Sequence, residues 1–370
     1  MSSHLFHLTA EHNSQTVAAA LKRLLSGRSW SQVRKLIEAR RIQVNGNLCR
    51  DGERKVKAGD VVKILDHSAS PPATADDVRL VYVDEHLIVI QKPAGVTTLR
   101  HREETDLPVR RKQLQQTLDE LVQQQLAAHL GISIDADDRN TNPKRQRGTS
   151  ASNRRQRKPP PDKRLRLRPV HRLDRDTSGL MVFARTPAAE QQLIRMFAKH
   201  DVQRAYLAVV YGQVNEQTID TFLVRDRGDG LRGSVGPAGP AGPEEPNDVE
   251  LIKATPGGRD LQPRRAITQI RPLEHLRDYT ILECRLETGR THQIRIHLSE
   301  IGHRLCGEKV YTHKIGQPSL PETSGAPRQA LHAASLAFVH PITGQPLRFQ
   351  MPLPRDLKTW LLKLPKQTSP

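Results

Sequence analysis

Aromatic side chains are scarce: two Trp, five Tyr and six Phe in 370 residues. A broad stacking platform for single-stranded nucleic acid needs several exposed rings, so any stacking by this chain must rest on one or two. Cysteine is scarcer still. Cys49, Cys284 and Cys306 are odd in number, far apart and without a C-x-x-C spacing. A disulfide framework and a zinc knuckle are therefore not expected, and the three are read as reduced, packed thiols. No run of about 18 apolar residues is present, and the first 30 residues lack the basic, apolar, small-residue order of a secretory signal. A soluble, cytoplasmic protein without a membrane partner is expected, monomeric and free of metal and cofactor.

Acidic residues are outnumbered. Against 58 Lys and Arg stand 40 Asp and Glu, a net charge of +18, which makes a polyanion such as nucleic acid the expected partner. The length suits one large domain with a small one, because single cores rarely grow past about 250 to 300 residues.

The first readable module is "SWSQVRKLIEARRIQVNGNLCRDGERKVKAGDVVKI". Val33, Leu36 and Ile37 recur at helical spacing, Arg34, Lys35 and Glu38 fall on another face, and Ser29 or Ser31 can cap the start. Ile42, Val44 and Leu48 then flank Asn45-Gly46, the dipeptide best suited to a tight hairpin turn. Arg34, Lys35, Arg40 and Arg41 thus cluster at a helix-to-hairpin junction as candidate RNA contacts. Through "LIEARRIQVNG" and "KVKAGDVVKI" the stretch from about Thr16 to Leu65 resembles the S4 domain, a small RNA-binding fold. The plainer alternative is a helical adaptor with a solvated basic face.

Beyond the proline-containing "SASPPATADD", Leu80 to Val83 and Leu87 to Ile90 read as strands around an Asp84-Glu85 turn. A helix carries Leu114, Leu118, Leu121 and Val122 on one stripe, and another follows in "TPAAEQQLIRMFAKH" with Thr186 as cap. "QRAYLAVVYG" reads as a strand. Two segments break the pattern. From Arg139 to Pro169 there are 12 basic residues and one acidic, with almost nothing apolar to bury, so residues 131–165 are expected to be a disordered basic insertion, serving as a phosphate-binding arm or merely tolerated. Residues 227–262, with a few Gly-Pro-Ala triplets, read as a loop.

In "TILECRLETGRTHQIRIHLSEIGH" the alternation of Leu282, Cys284 and Leu286 with charged residues predicts a half-buried strand. Ile294, His297, Leu298 and Ile301 then mark the buried face of a helix, with Arg295 at its edge. "TGRTH" sits at the strand-to-helix turn, where free amides and Arg290 suit an anionic group, so Arg290, Thr291 and His292 are candidate phosphate contacts. His292, His297 and His303 are five and six residues apart, which does not stack them on one helical face, so structural histidines are expected rather than a metal site.

Four blocks in one order, "RPVHRLDRDTSGLMVFART", "RAYLAVVYG", "LETGRTHQIRIHLSEIGHRLCGEKVY" and "RQALHAASLAFVHPITGQPLRF", together with the opening "VDEHLIVIQKPAGV", resemble the RluA-type pseudouridine synthase family over most of residues 78–357. The resemblance implies an α+β fold with a mixed, mostly antiparallel central sheet, preceded by the small helix-helix-hairpin S4 domain. It implies residues 1–70 as the S4 domain, 71–77 as linker, 78–357 as catalytic domain and 358–370 as a tail. It also implies isomerisation of uridine in RNA, most often large-subunit ribosomal RNA and alternatively transfer RNA, with Asp174 of H-R-L-D as catalytic carboxylate, Tyr206 as active-site ring, Arg295 as the carboxylate's basic partner, and Arg172 filling the gap left by the flipped base. Asp176 is read as part of the turn that presents Asp174.

The chain departs from the family where "KPAGV" is followed by "TTLRHREETD", and where Glu308 stands in place of the usual Asp, a change expected to affect loop packing rather than catalysis. A non-catalytic RNA-binding or ribosome-assembly factor on the same fold is the competing class. A glycosidase pairing Asp174 with Asp176 is disfavoured because two carboxylates in one turn cannot flank a sugar bond.

Overall fold

The computed structural model describes residues 4–44, 47–49, 51–65, 73–100, 116–132, 162–228, 231–237, 263–313 and 319–365. The Asn45-Gly46 turn, Leu114, most of the 131–165 insertion and most of the 227–262 loop lie outside the described residues. The chain divides into two compact units, one of residues 1–72 with 100–116, the other of residues 73–99 with 117–370.

The first unit begins with β1 (His4–His7), followed by α1 (Val17–Leu24), α2 (Trp30–Glu38), β2 (Ile42–Val44), β3 (Asn47–Leu48) and β4 (Val61–Ile64). The strands form an antiparallel sheet in the order β1-β4-β2-β3. Ser29 is the cap of α2: its hydroxyl accepts from Gln32 N–H while the Gln32 side chain accepts from Ser29 N–H. Val33, Leu36 and Ile37 join α1 and the strands in one small core, as their spacing predicts.

The second unit is built on a mixed sheet. Its strands are β5 (Arg79–Val83), β6 (Leu87–Lys92), β7 (Arg168–Pro169), β8 (Ser178–Ala184), β9 (Gln203–Tyr211), β10 (Gln217–Val224), β11 (Gly233–Pro237), β12 (Arg264–His275), β13 (Tyr279–Leu286), β14 (Leu331–Val339) and β15 (Pro346–Gln350). Helices α3 (Leu118–Leu130), α4 (Pro187–Ala198), α5 (Gln293–Glu300) and α6 (Arg355–Leu361) accompany them. The strand order is β11-β10-β12-β13-β9-β14-β8-β6-β5, with β15 beside β14 and β7 beside β8. Among the described strands of this sheet only the β8–β14 pair is parallel, so the mixed, mostly antiparallel sheet is as expected.

Three local readings need correction. The strand predicted around Leu282 is buried on both faces over Tyr279–Leu282, because Leu282 and Cys284 enter the large core while Tyr279 and Ile281 pack against Trp360 and Leu357 of α6. Those same contacts mean that the chain after residue 357 is not a free tail: α6 runs to Leu361 with Trp360 buried. Within 227–262, read as a loop, Gly233–Pro237 is a strand paired with β10.

The parallel contact between β8 and β14 is short, matching only His332 with Ser178 and Ala333 with Gly179. Farther along, β14 pairs with β15 and β8 with β7 instead, so the sheet parts beyond that contact. Gly179 makes the contact possible. It lies at φ +122°, and a Cβ there would stand 2.2 Å from the Ala333 carbonyl oxygen. Gly179→Ala is therefore expected to destabilise the protein by about 3 kcal/mol or more, through overpacking and backbone strain, measured as a fall in the urea midpoint.

Candidate active site

The loop 173–177 leads into β8 at its short parallel contact with β14, and several of its backbone groups are held from different directions. The Thr98 hydroxyl donates to the Leu173 carbonyl at 2.7 Å, Gly95 N–H to the Arg175 carbonyl at 2.8 Å, and Arg328 Nη1 to the Asp176 carbonyl at 3.0 Å. The Gln329 side chain donates to Thr177 Oγ1, and Arg328 Nη2 to Ser178 Oγ. Thr177 N–H closes the turn onto the Asp174 carbonyl. Asp176 belongs to that turn, and its carboxylate meets Arg175 at 3.3 Å.

Lys92, at the end of β6, is fully buried beneath the loop and donates from Nζ to the carbonyls of Pro93, Arg175 and Thr177 at 3.1, 2.9 and 2.9 Å. Burial lowers its pKa to about 7 against the opposing pull of Asp176 and Asp174. Lys92 escaped notice in the sequence because it stands in an apolar strand, where its long stem reads as one more buried position. Its only signal was its place in "QKPAGV".

Above the loop lies an open cleft of about 170 Å³, lined by Asp174, Arg175, Asp176, His292, Arg295, Glu308 and Gln329 among others. Arg295 organises it. Its Nη1 donates to Asp174 Oδ2 at 3.1 Å, and its Nε and Nη2 grip both oxygens of Glu308 at 2.8 and 2.7 Å. The helix that carries it was expected to show one buried face, yet Gln293 through Ser299 are all buried, so Arg295 sits inside the core rather than at its edge. Arg295 Cζ also lies 5.2 Å from the Tyr311 ring centre, a cation–π contact.

Glu308 corrects a second expectation. It is almost fully buried, and besides Arg295 its Oε1 accepts from the amides of Lys309 and Val310 at 2.9 Å. It positions the cation that meets Asp174, so its role reaches the site and is not confined to loop packing. Burial alone would raise the Asp174 carboxyl, but His292 and Arg295, with help from Arg172, hold it below the ordinary Asp range. Glu308 is likewise held low against burial by Arg295 and by amide donors.

His292, read from the sequence as a phosphate contact, lies beside the carboxylate, with Nε2 3.7 Å from Asp174 Oδ1 and Nδ1 2.7 Å from the Tyr311 hydroxyl. Burial pushes its pKa down, against the pull of Asp174. At neutral pH it is thus an uncharged hydrogen-bonding group, which leaves Arg295 as the buried cation on Asp174. His292 caps α5 in the left-handed region at φ 62°. The turn before it is less open to anions than expected: Gln293 Oε1 accepts from both Arg290 N–H and the Thr288 hydroxyl, and Arg290 Nε donates to the Arg265 carbonyl. Thr291 is half-buried beside them.

His297 bridges Thr221 and Thr268, and His303 meets the Tyr211 carbonyl, so both are structural; no metal-ligand cluster occurs among the described residues. Tyr206 is buried in β9, paired with Ala333 on one side and Cys284 on the other, and is not among the residues lining the cleft. Burial and the Asp174 charge push its phenol pKa up, against Arg204, so it stays protonated at neutral pH. Arg172 is exposed at the start of the loop. In the first unit, Arg34 and Lys35 are exposed on α2 and Arg40 turns through φ 55°. Arg41 is committed to structure, because its Nε donates to the Leu65 carbonyl at 2.7 Å.

Comparison with known proteins agrees with this architecture. A family model described as RNA pseudouridylate synthase matches residues 86–300, and one described as S4 domain matches residues 17–62. The chain is 30% identical over 356 residues to ribosomal large subunit pseudouridine synthase D of Zymomonas mobilis, covering 95% of this chain and 94% of that protein. The protein of the same name from Vibrio cholerae is 30% identical over 362 residues, covering 95% and 91%. Among solved structures, human RNA pseudouridylate synthase domain containing 4 superposes with a TM-score of 0.50 at 19% identity, over 77% of this chain and 92% of that one, a likeness of fold.

Arg295→Met would leave the buried Glu308 and the part-buried Asp174 without their cation, at a cost of about 3–5 kcal/mol at neutral pH. Because Asp174 and Glu308 are held low only in the folded state, that stabilisation is complete above the unfolded carboxyl pKa of about 4 and is lost as pH falls through the folded values. Denaturant unfolding of both proteins across this range should show the wild-type advantage large at pH 7 and shrinking below about pH 4.

Proposed function

Because the chain belongs to the RNA pseudouridylate synthase family, and so isomerises uridine to pseudouridine in RNA, we propose that it acts on large-subunit ribosomal RNA with Asp174 as its catalytic carboxylate. Two relatives matched over 95% of the chain carry that substrate in their names, and the S4 domain supplies a second RNA-binding unit.

The reaction breaks the bond between uracil N1 and ribose C1′, turns the base over, and joins C5 to the same C1′. The C5 proton leaves and N1 gains one, so the product is an isomer of the substrate. A carboxylate can serve as nucleophile toward C1′ or C6, or stabilise positive charge developing at C1′; in each case it must be ionised. The observation that carries the assignment is the ion pair from Arg295 to Asp174 in a cleft, with Arg295 itself fixed by Glu308. A carboxyl so held is charged at neutral pH in spite of burial.

His292, neutral and anchored on Tyr311, offers a hydrogen bond beside the carboxylate. Tyr206 does not line the cleft, but its phenol is near enough to feel the Asp174 charge and stays protonated, which suits a proton donor rather than a base. The target nucleotide must leave its helix to reach the cleft, at a cost of a few kcal/mol, and exposed Arg172 is suited to contact the strand it leaves.

Asp174→Asn keeps the shape of the side chain and removes its charge. Product formation on RNA from a strain lacking the gene is expected to fall roughly a thousandfold or more, while RNA affinity stays within about twofold. Equal activity of the two proteins would remove Asp174 from the chemistry. Pseudouridine mapping of total RNA with and without the gene tests the substrate: a missing site in transfer RNA, with ribosomal RNA unchanged, would overturn the ribosomal assignment.

A further inference from the structure

The chain has two tryptophans, and the fold treats them oppositely. Trp360 is 7% exposed and its indole N–H donates to the Ser324 carbonyl at 2.8 Å. Trp30, in the first turn of α2, is 50% exposed. It lies outside the stripe of Val33, Leu36 and Ile37 through which α2 joins the core of its unit. Among the described residues of that unit it is the one large apolar side chain left so exposed. A lone ring of this kind is too small a patch for a protein interface, which needs a contiguous apolar centre.

Its surroundings are basic. Residues 1–65 hold 12 Lys and Arg against five Asp and Glu. Arg34 follows Trp30 by one helical turn, which places the two side chains on the same side of α2. Arg34 and its neighbour Lys35 are exposed, and neither side chain makes a hydrogen bond or ion pair among the described residues. Glu38, a further turn along, is the sole carboxylate on this helix. A flat indole beside a guanidinium without an ion-pair partner complements an unpaired nucleotide: the ring faces the base and the guanidinium meets the flanking phosphate.

We propose that Trp30 and Arg34 form a stacking site for an unpaired nucleobase of the RNA, separate in sequence and in fold unit from the cleft at Asp174. The proposal rests on the functional reading only for the identity of its ligand as RNA. It also answers the scarcity of aromatics, since one exposed ring on a charged helix is enough to hold a base without a broad platform.

The test uses the full chain, a single-stranded oligouridylate and a fully paired RNA duplex. The oligouridylate should quench tryptophan fluorescence saturably and the duplex should not, with buried Trp360 supplying an unquenched background. Trp30→Leu, folded by far-ultraviolet circular dichroism, should abolish the quenching and bind the single strand roughly 5-fold to 100-fold more weakly, whereas Trp30→Tyr should retain most of the affinity. An unquenched indole, or a Leu variant that binds as wild type does, would overturn the site. Pseudouridine formation is assayed separately: quenching without product would keep this site and discard the enzymatic reading, and product without quenching would do the reverse.

Discussion

A single buried guanidinium holds the candidate site together. Arg295 lies inside the core on a helix buried on every side, and its donors are divided between Asp174 at the cleft and Glu308 behind it. A buried cation is unfavourable unless its donors are all met, and a buried carboxylate near an uncharged wall would take up a proton. Each member of the trio therefore requires the others. Glu308 adds the backbone amides of residues 309 and 310 as further donors, so the charge on Arg295 is fixed in direction as well as in place.

The ion pair would be of little use on a loose loop. Asp174 is carried by five residues whose backbone is held by Lys92, Gly95, Thr98 and Arg328, groups drawn from β6, the turn after it and the approach to β14. The loop enters β8 where the sheet narrows to a two-residue parallel contact and then parts. Gly179 is the residue that allows β14 to approach closely enough for Arg328 and Gln329 to reach the loop from that side. Under the proposed function, binding of RNA and the handling of one uridine fall to different parts of the chain, α2 of the basic small unit and the cleft of the large unit.

Much of this was legible beforehand. Apolar spacing in α2, α4 and the β5–β6 hairpin announced each element, and Ser29 and Thr186 cap their helices as side chains of their kind do. The blocks around Asp174, Tyr206 and Arg295 carried the family, because motifs preserve the order of chemical groups even when the loops between them change. The misreadings share one cause. Nothing in the neighbouring sequence of Lys92, Glu308 or Arg295 names the group it meets, and each is buried because it finds partners more than ten residues away. Arg41, placed by pattern on the basic surface, is half-buried and held by the Leu65 carbonyl, again a partner distant in the chain.

By itself, then, the sequence determined the local elements, the basic charge and the family, since these depend on residue type and on spacings of two to four positions. Tertiary structure alone decided which charged groups are surface and which are interior. Burial and ion pairing are set by the three-dimensional meeting of segments distant in the chain. The same meeting separates Asp174, which faces the cleft under Arg295, from Asp176, which differs from it by only two positions and belongs to the turn.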